Sequence, residues 1–411
     1  LTKTGSGNQT LSGANTYTGA TAINAGTLEV SGSSSTASYT IASGATLNLS
    51  NATQTNPVFY GDGTLAIDGG TFTTLNFGDD STGLGSGTVT LSNTVNAYSL
   101  KFGKASGDIT LTGGNISMAA GGTSVIQAYS GGGSVSNTHT INSNISKASG
   151  TLQFGTQNTA NEKYVMNGVL SGGFGVDGRM VNGSGQLYLN GLNTFTGNFS
   201  MTTGQYYANT LADSGQASSL GAGSSINMGG GGGQSPRLIY TGSTATSTNR
   251  TITVNANGNV GIIAQDGAVD LSGTVRANNG ATTYNLFLSG TADTGTNTIS
   301  GSMQDNGSGV LAVQINSTGA TGVAGEAGYW DFTGNNTYTG NTTVANGSTL
   351  KISGAGNLGG GTYAGAISNS GIFEYNSSAA QTLSGVISGA GSVLKDNTGT
   401  LTLTANNNFS G

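Results

Sequence analysis

One nine-residue phrase occurs four times in this chain, and it constrains the possible folds more than any other feature. Each copy opens on a large apolar residue, carries Asn four positions later and an aromatic residue two beyond that, and closes on glycine after two more. The copies are Leu11-Asn15-Tyr17-Gly19, Leu189-Asn193-Phe195-Gly197, Phe332-Asn336-Tyr338-Gly340 and Leu403-Asn407-Phe409-Gly411. Internal repetition of this kind marks units that bury an apolar face only against a neighbouring unit. Six residues after the first three aromatics comes another apolar residue, Ile23, Met201 or Val344, so each unit runs on into a strand. The aromatics are 178, 143 and 71 residues apart, which excludes one fixed period.

The intervals contain related material. Short strings such as Thr46-Leu47-Asn48-Leu49, Thr88-Val89-Thr90-Leu91 and Thr251-Ile252-Thr253-Val254 alternate polar with apolar residues between Gly, Asn and Ser. Period-two alternation between turn formers is the strand signal, and no stretch carries a helical period, so the expected fold class is all-β. Strands of three to five residues cannot cover their own apolar faces as separate hairpins. Stacking successive turns of one chain covers them, which predicts a parallel β-solenoid running continuously from residue 1 to 411. At about 20 residues per coil and about 4.8 Å per step, the expectation is an elongated rod of roughly 20 coils, near 100 Å long. Gly and Asn suit the corners because both tolerate positive φ. Asn15, Asn193, Asn336 and Asn407 are therefore candidate corner residues, with Asn side chains stacked and hydrogen-bonded from coil to coil. Tyr17, Phe195, Tyr338 and Phe409 are expected to pack the core or cap it.

Composition removes the competing explanations for so much glycine. Glycine supplies 74 of 411 residues, but without a three-residue period and with two prolines, which excludes the collagen helix. Charged residues make up 7% and β-branched and aromatic residues recur throughout, the reverse of a disordered chain. The absence of cysteine removes disulfides, thiolate metal sites and Cys nucleophiles. The only histidine is His139, so no His-based metal cluster can form. The net charge is −6 and the eleven Lys and Arg residues are scattered, giving none of the basic stripe that nucleic acid requires. No apolar run reaches the roughly 18 residues of a membrane-crossing helix, and no charged-then-apolar leader opens the chain.

The segments around the repeated phrase carry a family resemblance. Leu1 to Gly32, LTKTGSGNQTLSGANTYTGATAINAGTLEVSG, resembles the autotransporter-associated β-strand repeat of very large secreted and surface proteins of bacteria. Asp331 to Gly354 is similar with one extra residue in its second turn, and residues 185–201 and 399–411 are similar to its central part. The resemblance implies a right-handed parallel β-helix, secretion, and a role in adhesion, surface display or extracellular structure. It speaks to architecture more than to molecular task. The alternating ten-residue strands and aromatic girdles of a membrane barrel are missing from these residues. Leu394 to Gly411 resembles Leu1 to Gly19, and neither stretch carries a polar cap, so the expectation is a segment of a longer chain or a unit that stacks on its neighbours.

Other stretches are weighed by their chemistry. Gly172 to Met180 begins like a calcium-binding nonapeptide, but Arg179 takes its apolar position and no tandem copy follows, so a turn is expected. Gly229 to Gly233 lacks the Lys-Ser/Thr of a phosphate loop and reads as another turn. Asp79-Asp80, with Asp62 and Asp68 near in sequence, is the best carboxylate group for a glycosidase, whose two carboxyls stand about 5 to 10 Å apart. With no Arg or aromatic residue beside it, it reads as a solvated loop. His139 is expected outward or satisfied, and Trp330 is expected to cover the core rather than stack on a sugar. The resulting expectation is a non-enzymatic protein, with no cofactor and no metal, at the bacterial cell surface or outside it. Its first reading is a structural solenoid of a fibre, stalk, sheath or surface layer, self-associating through its ends or sides. The alternative is an autotransporter-type passenger adhesin that binds host or neighbouring cells through surface glycans or proteins.

Overall fold

A computed structural model of the chain describes residues 1–79, 81–103, 106–128, 136–156, 162–180, 185–230, 234–290, 296–316 and 327–411. The described residues form strands throughout, most of them short, with one short 3-10 turn at Gly359–Gly361 and no α-helix. Their strand ladders are parallel, each strand pairing with the next coil along the chain, so the fold is a parallel β-solenoid. Two compact units divide it, Leu1–Gly197 and Asn198–Gly411.

In the first unit each coil visits three faces in turn. Thr21–Ile23 lies on the first, Thr27–Val30 on the second and Ser33-Ser34 on the third; Ser38–Ile41 then returns to the first. Alternation decides which side chains enter. On the second face Leu28, Leu47 and Leu65 fall in one register and are buried, while the Thr residues preceding them, Thr27, Thr46 and Thr64, remain outside. Later in the unit the strands run around the corners: Gly87–Phe102 pairs with Ile109–Met118 on the second and third faces and with Thr123–Ala128 on the first. On the first face Tyr39, Phe59, Phe77 and Phe102 occupy successive coils in register. Their rings stack at centroid distances of 5.9, 6.1 and 5.3 Å. Each buried ring contributes the transfer energy of its apolar area, with a further gain from offset stacking.

The second unit includes two aliphatic columns in its core. Ile226, Ile252, Val275 and Met303 are in register and buried, as are Leu238, Ile262, Leu288 and Ile315. A third column runs through Trp330, Leu350 and Phe373. Trp330 is fully buried and its indole N–H donates to the Ser289 carbonyl at 3.3 Å.

Two local expectations are corrected. The coil is not a constant 20 residues: Ala22 pairs with Thr40, 18 residues on, whereas Asn297 pairs with Trp330, 33 residues on. The strands on either side of these different lengths stay in parallel register. Gly172 to Met180 is not a turn but most of the strand Leu170–Met180. Phe174, Val176 and Met180 alternate inward there, and this period-two pattern outweighs the local glycines. Only Gly172, at φ 128°, takes a conformation that disfavours a side chain.

Candidate binding surface

The repeated phrase builds corners. Asn336 is fully buried; its Oδ1 accepts the amide of Met303 from the preceding coil at 3.0 Å. Its Nδ2 donates to Gly334 at 3.0 Å and to the Asn357 carbonyl of the following coil at 3.2 Å. Asn193 is equally buried and accepts the Leu170 amide at 2.8 Å. Asn407 accepts the Ile387 amide at 2.7 Å and donates to Ala405 at 3.1 Å. Asn15 donates to Gly13 at 2.9 Å and across to Ser33 at 3.3 Å. Each amide thus satisfies backbone groups that the turn takes out of the ladder, as a buried corner requires. These bonds run to backbone and not from Asn to Asn. An Asn ladder of the expected kind lies elsewhere, where Asn190 donates to Asn167 and Asn167 to Asn142, both at 2.8 Å.

The remaining phrase positions pack around these corners. Phe195 is buried and stacks on Phe174 at 5.3 Å. Tyr338 is buried, with its hydroxyl 2.8 Å from the Thr342 hydroxyl and its ring edge-on to Tyr363 at 5.5 Å. Tyr17 and Phe409 are half-buried, Tyr17 reaching Thr21 at 3.3 Å. Of the opening residues, Leu189 and Phe332 are buried, Leu11 is half-buried and Leu403 is exposed. The closing glycines Gly197, Gly340 and Gly411 leave no room for a side chain, because a Cβ would strike the carbonyls of Phe174, Leu311 and Ala390 in the preceding coil. Gly19 has open space around it. The phrase therefore supports the scaffold and leaves the outer faces to do any binding.

The titratable candidates are placed as follows. Asp79 holds a turn: its Oδ1 accepts the amides of Ser81 and Thr82 at 2.8 and 2.7 Å, and its Oδ2 accepts the Tyr60 hydroxyl at 2.6 Å. Partial burial alone would raise this carboxyl, but the Tyr60 hydroxyl and the two amides hold it down at about 2. Burial, the shared hydrogen bond and the carboxylate charge push Tyr60 up to about 12. Asp80 and residues 231–233 lie outside the described residues. His139 is neither outward nor satisfied by hydrogen bonds: it is fully buried, stacked on Phe102 at 4.2 Å, with Nε2 3.4 Å from Glu162 Oε2. The string Thr138-His139-Thr140-Ile141 puts His139 in phase with inward Ile141, and this phase overrides its polarity. Among the described residues no three of His, Cys, Asp and Glu converge in a way that could hold a metal ion.

A groove of about 960 Å³ lies in the first unit where its third face bends into the first. One wall is a register-locked row of Thr53, Thr71, Asn96, Ser117, Ser146 and Ser171. The opposite wall includes Thr73, Ala119 and Tyr98, whose ring is 40% exposed. Between the walls lie buried Gln54, Phe72, Ala97, Met118 and Lys147, with Ala97 the smallest. The Lys147 ammonium is engaged by the carbonyls of Ala119 and Gly121 and the Ser124 hydroxyl. No motif announces this groove. The one signal for it was the string Thr94-Val95-Asn96-Ala97-Tyr98, whose alternation puts an aromatic ring in the outward phase.

Comparison with known proteins gives two findings. A model of the passenger-associated-transport repeat matches residues 1–30, 326–352 and 393–411. The chain is 31% identical over 293 residues to the adhesin BmaC autotransporter of Brucella suis biovar 1 (strain 1330), a match covering 61% of this chain and 8% of that protein. The chain thus corresponds to a small part of its relative. No solved structure matches it. The described residues include no helix long and apolar enough to cross a membrane.

Proposed function

We propose that the chain, which carries passenger-associated-transport repeats and so belongs with the autotransporter-associated repeat family, is a passenger segment of a bacterial surface adhesin. In this reading it stands outside the cell and contributes contacts to host or neighbouring cells without catalysing a reaction. The observation that carries the proposal is the similarity to an adhesin over 293 residues, far more than the repeat matches span. The outer faces support it. A solenoid that satisfies its backbone coil by coil and sends its apolar residues inward leaves rows of Ser, Thr and Asn free to contact a partner. The fibre or sheath reading draws on composition and on the repeat-like stretches at Leu1 to Gly19 and Leu394 to Gly411, and the adhesin relative favours adhesion over it.

The test removes this segment from its parent protein and compares adherence of the two strains to host cells. Adherence should fall while antibody against another part of the parent still labels the cell surface. Unchanged adherence with unchanged surface labelling would sink the proposal. Electron microscopy of the purified chain separates the two readings, since a passenger segment gives discrete particles and a fibre protein gives filaments.

A further inference from the structure

We propose that the groove of the first unit is a binding site for an extended, uncharged glycan lying across successive coils. The inference rests on the adhesin reading and gives it a ligand class and a place. The wall from Thr53 to Ser171 presents six hydroxyl or amide side chains in strict register. At about 4.8 Å per coil they span roughly 24 Å, a spacing of the same order as the rise per sugar in an extended β-linked chain. Hydroxyls both donate and accept, which suits a ligand whose own polar groups are hydroxyls.

Three further observations point to a sugar and not to another polymer. Tyr98 offers an exposed ring at the groove, an apolar surface of the kind the faces of sugar rings pack against. A charged partner is disfavoured, because among the described residues lining the groove the one charged side chain is Lys147, and its ammonium is already engaged by two carbonyls and a hydroxyl. A peptide strand is disfavoured too. The strands under the groove are paired on both sides, Ser117 with Asn96 and Ser146 for example, so there is no free edge to extend.

The experiment titrates the purified 411-residue chain with cellohexaose, xylohexaose and a heparin hexasaccharide by calorimetry. Tyr98→Ala and Ala119→Trp are run in parallel; both sites are exposed, so the fold should tolerate both changes. The expected result is binding of at least one neutral hexasaccharide, weakened about tenfold or more by Tyr98→Ala and abolished by Ala119→Trp, which fills the groove. No neutral binding, binding of heparin alone, or neutral binding indifferent to both variants would each overturn the inference. The adhesin reading is judged separately, by deletion of the whole segment from the parent protein. If adherence depends on the segment but no neutral glycan binds, the groove inference falls and the adhesin reading stands. If deletion leaves adherence intact while the groove binds a neutral glycan, the reverse holds.

Discussion

Asn336 and Asn297 hold two corners of the second unit in the same way, yet only one of them belongs to the repeated phrase. Asn297 is fully buried; its Oδ1 accepts the Val269 amide at 3.0 Å, and its Nδ2 donates to Gly290 at 2.9 Å and to Tyr329 of the following coil at 3.3 Å. Asn336 makes the same three kinds of bond: back one coil, locally, and on one coil. Their surroundings in sequence share little. Asn336 has Phe332 before it and Tyr338 after it, whereas Asn297 is followed by Thr298 and Ile299. Gln381 reaches a similar result with a longer side chain, accepting from the Leu358 amide at 2.8 Å and donating to the Leu358 carbonyl at 3.0 Å. What the fold selects is an inward amide where the chain turns. The repeated phrase is one of several sequences that deliver it.

The largest expected effects test this equivalence. Asn336→Leu and Asn297→Leu should each destabilise the second unit by about 3 to 5 kcal/mol, since each strands one buried amide and two carbonyls at about 1 to 3 kcal/mol apiece with partial relaxation. Denaturant unfolding, with hydrogen exchange to locate the loss, measures both. Comparable losses support the equivalence. A large loss at Asn336 beside a small one at Asn297 would break it, and would show that the surrounding phrase carries the stability.

The next comparison is between the two cores. Phe77→Ala removes a ring from the middle of the aromatic column of the first unit and should cost about 3 to 5 kcal/mol. Ile252→Val trims one methylene group from an aliphatic column of the second unit and should cost about 1 kcal/mol. If Phe77→Ala cost no more than Ile252→Val, the stacked rings would be filling space loosely and not packing as a column.

These contrasts also explain what could be read in advance. Alternation in strings such as Thr46-Leu47-Asn48-Leu49 fixed which residues entered the core, because a period of two leaves no choice once one face is buried. The place of Trp330 just ahead of a repeat strand foretold its burial. The alternation rule, applied to Thr138-His139-Thr140-Ile141, places His139 inside, because it shares the phase of inward Ile141 whatever its polarity. The corner role of Asn was legible in outline and its partners were not, because coil length varies and sequence does not say which backbone group stands opposite. The groove was hidden for a different reason. Its Ser and Thr row resembles every other outer row, and its depth comes from how the third face bends into the first, a property of register between residues far apart in sequence.

The smallest expected effects separate a polar contact at the surface from one in the core. The carboxyl of Asp79 sits at about 2 in the folded chain, below its ordinary value of 3.8. The stability it adds is therefore fully present above about 4 and is lost as pH falls towards about 2. Tyr60 is raised from 10.0 to about 12, so its contribution is complete below about 10 and is lost as pH rises through about 12. Asp79→Asn should remove the acid limb and bring the ionisation of Tyr60 down towards its ordinary value, because the neighbouring negative charge is gone. Spectroscopic titration of tyrosinate reads the second effect directly, and unfolding midpoints across the acid range read the first. An Asp79→Asn chain whose Tyr60 still ionises near 12 would mean that burial alone raises it, and that the turn at Asp79 owes little to the shared hydrogen bond.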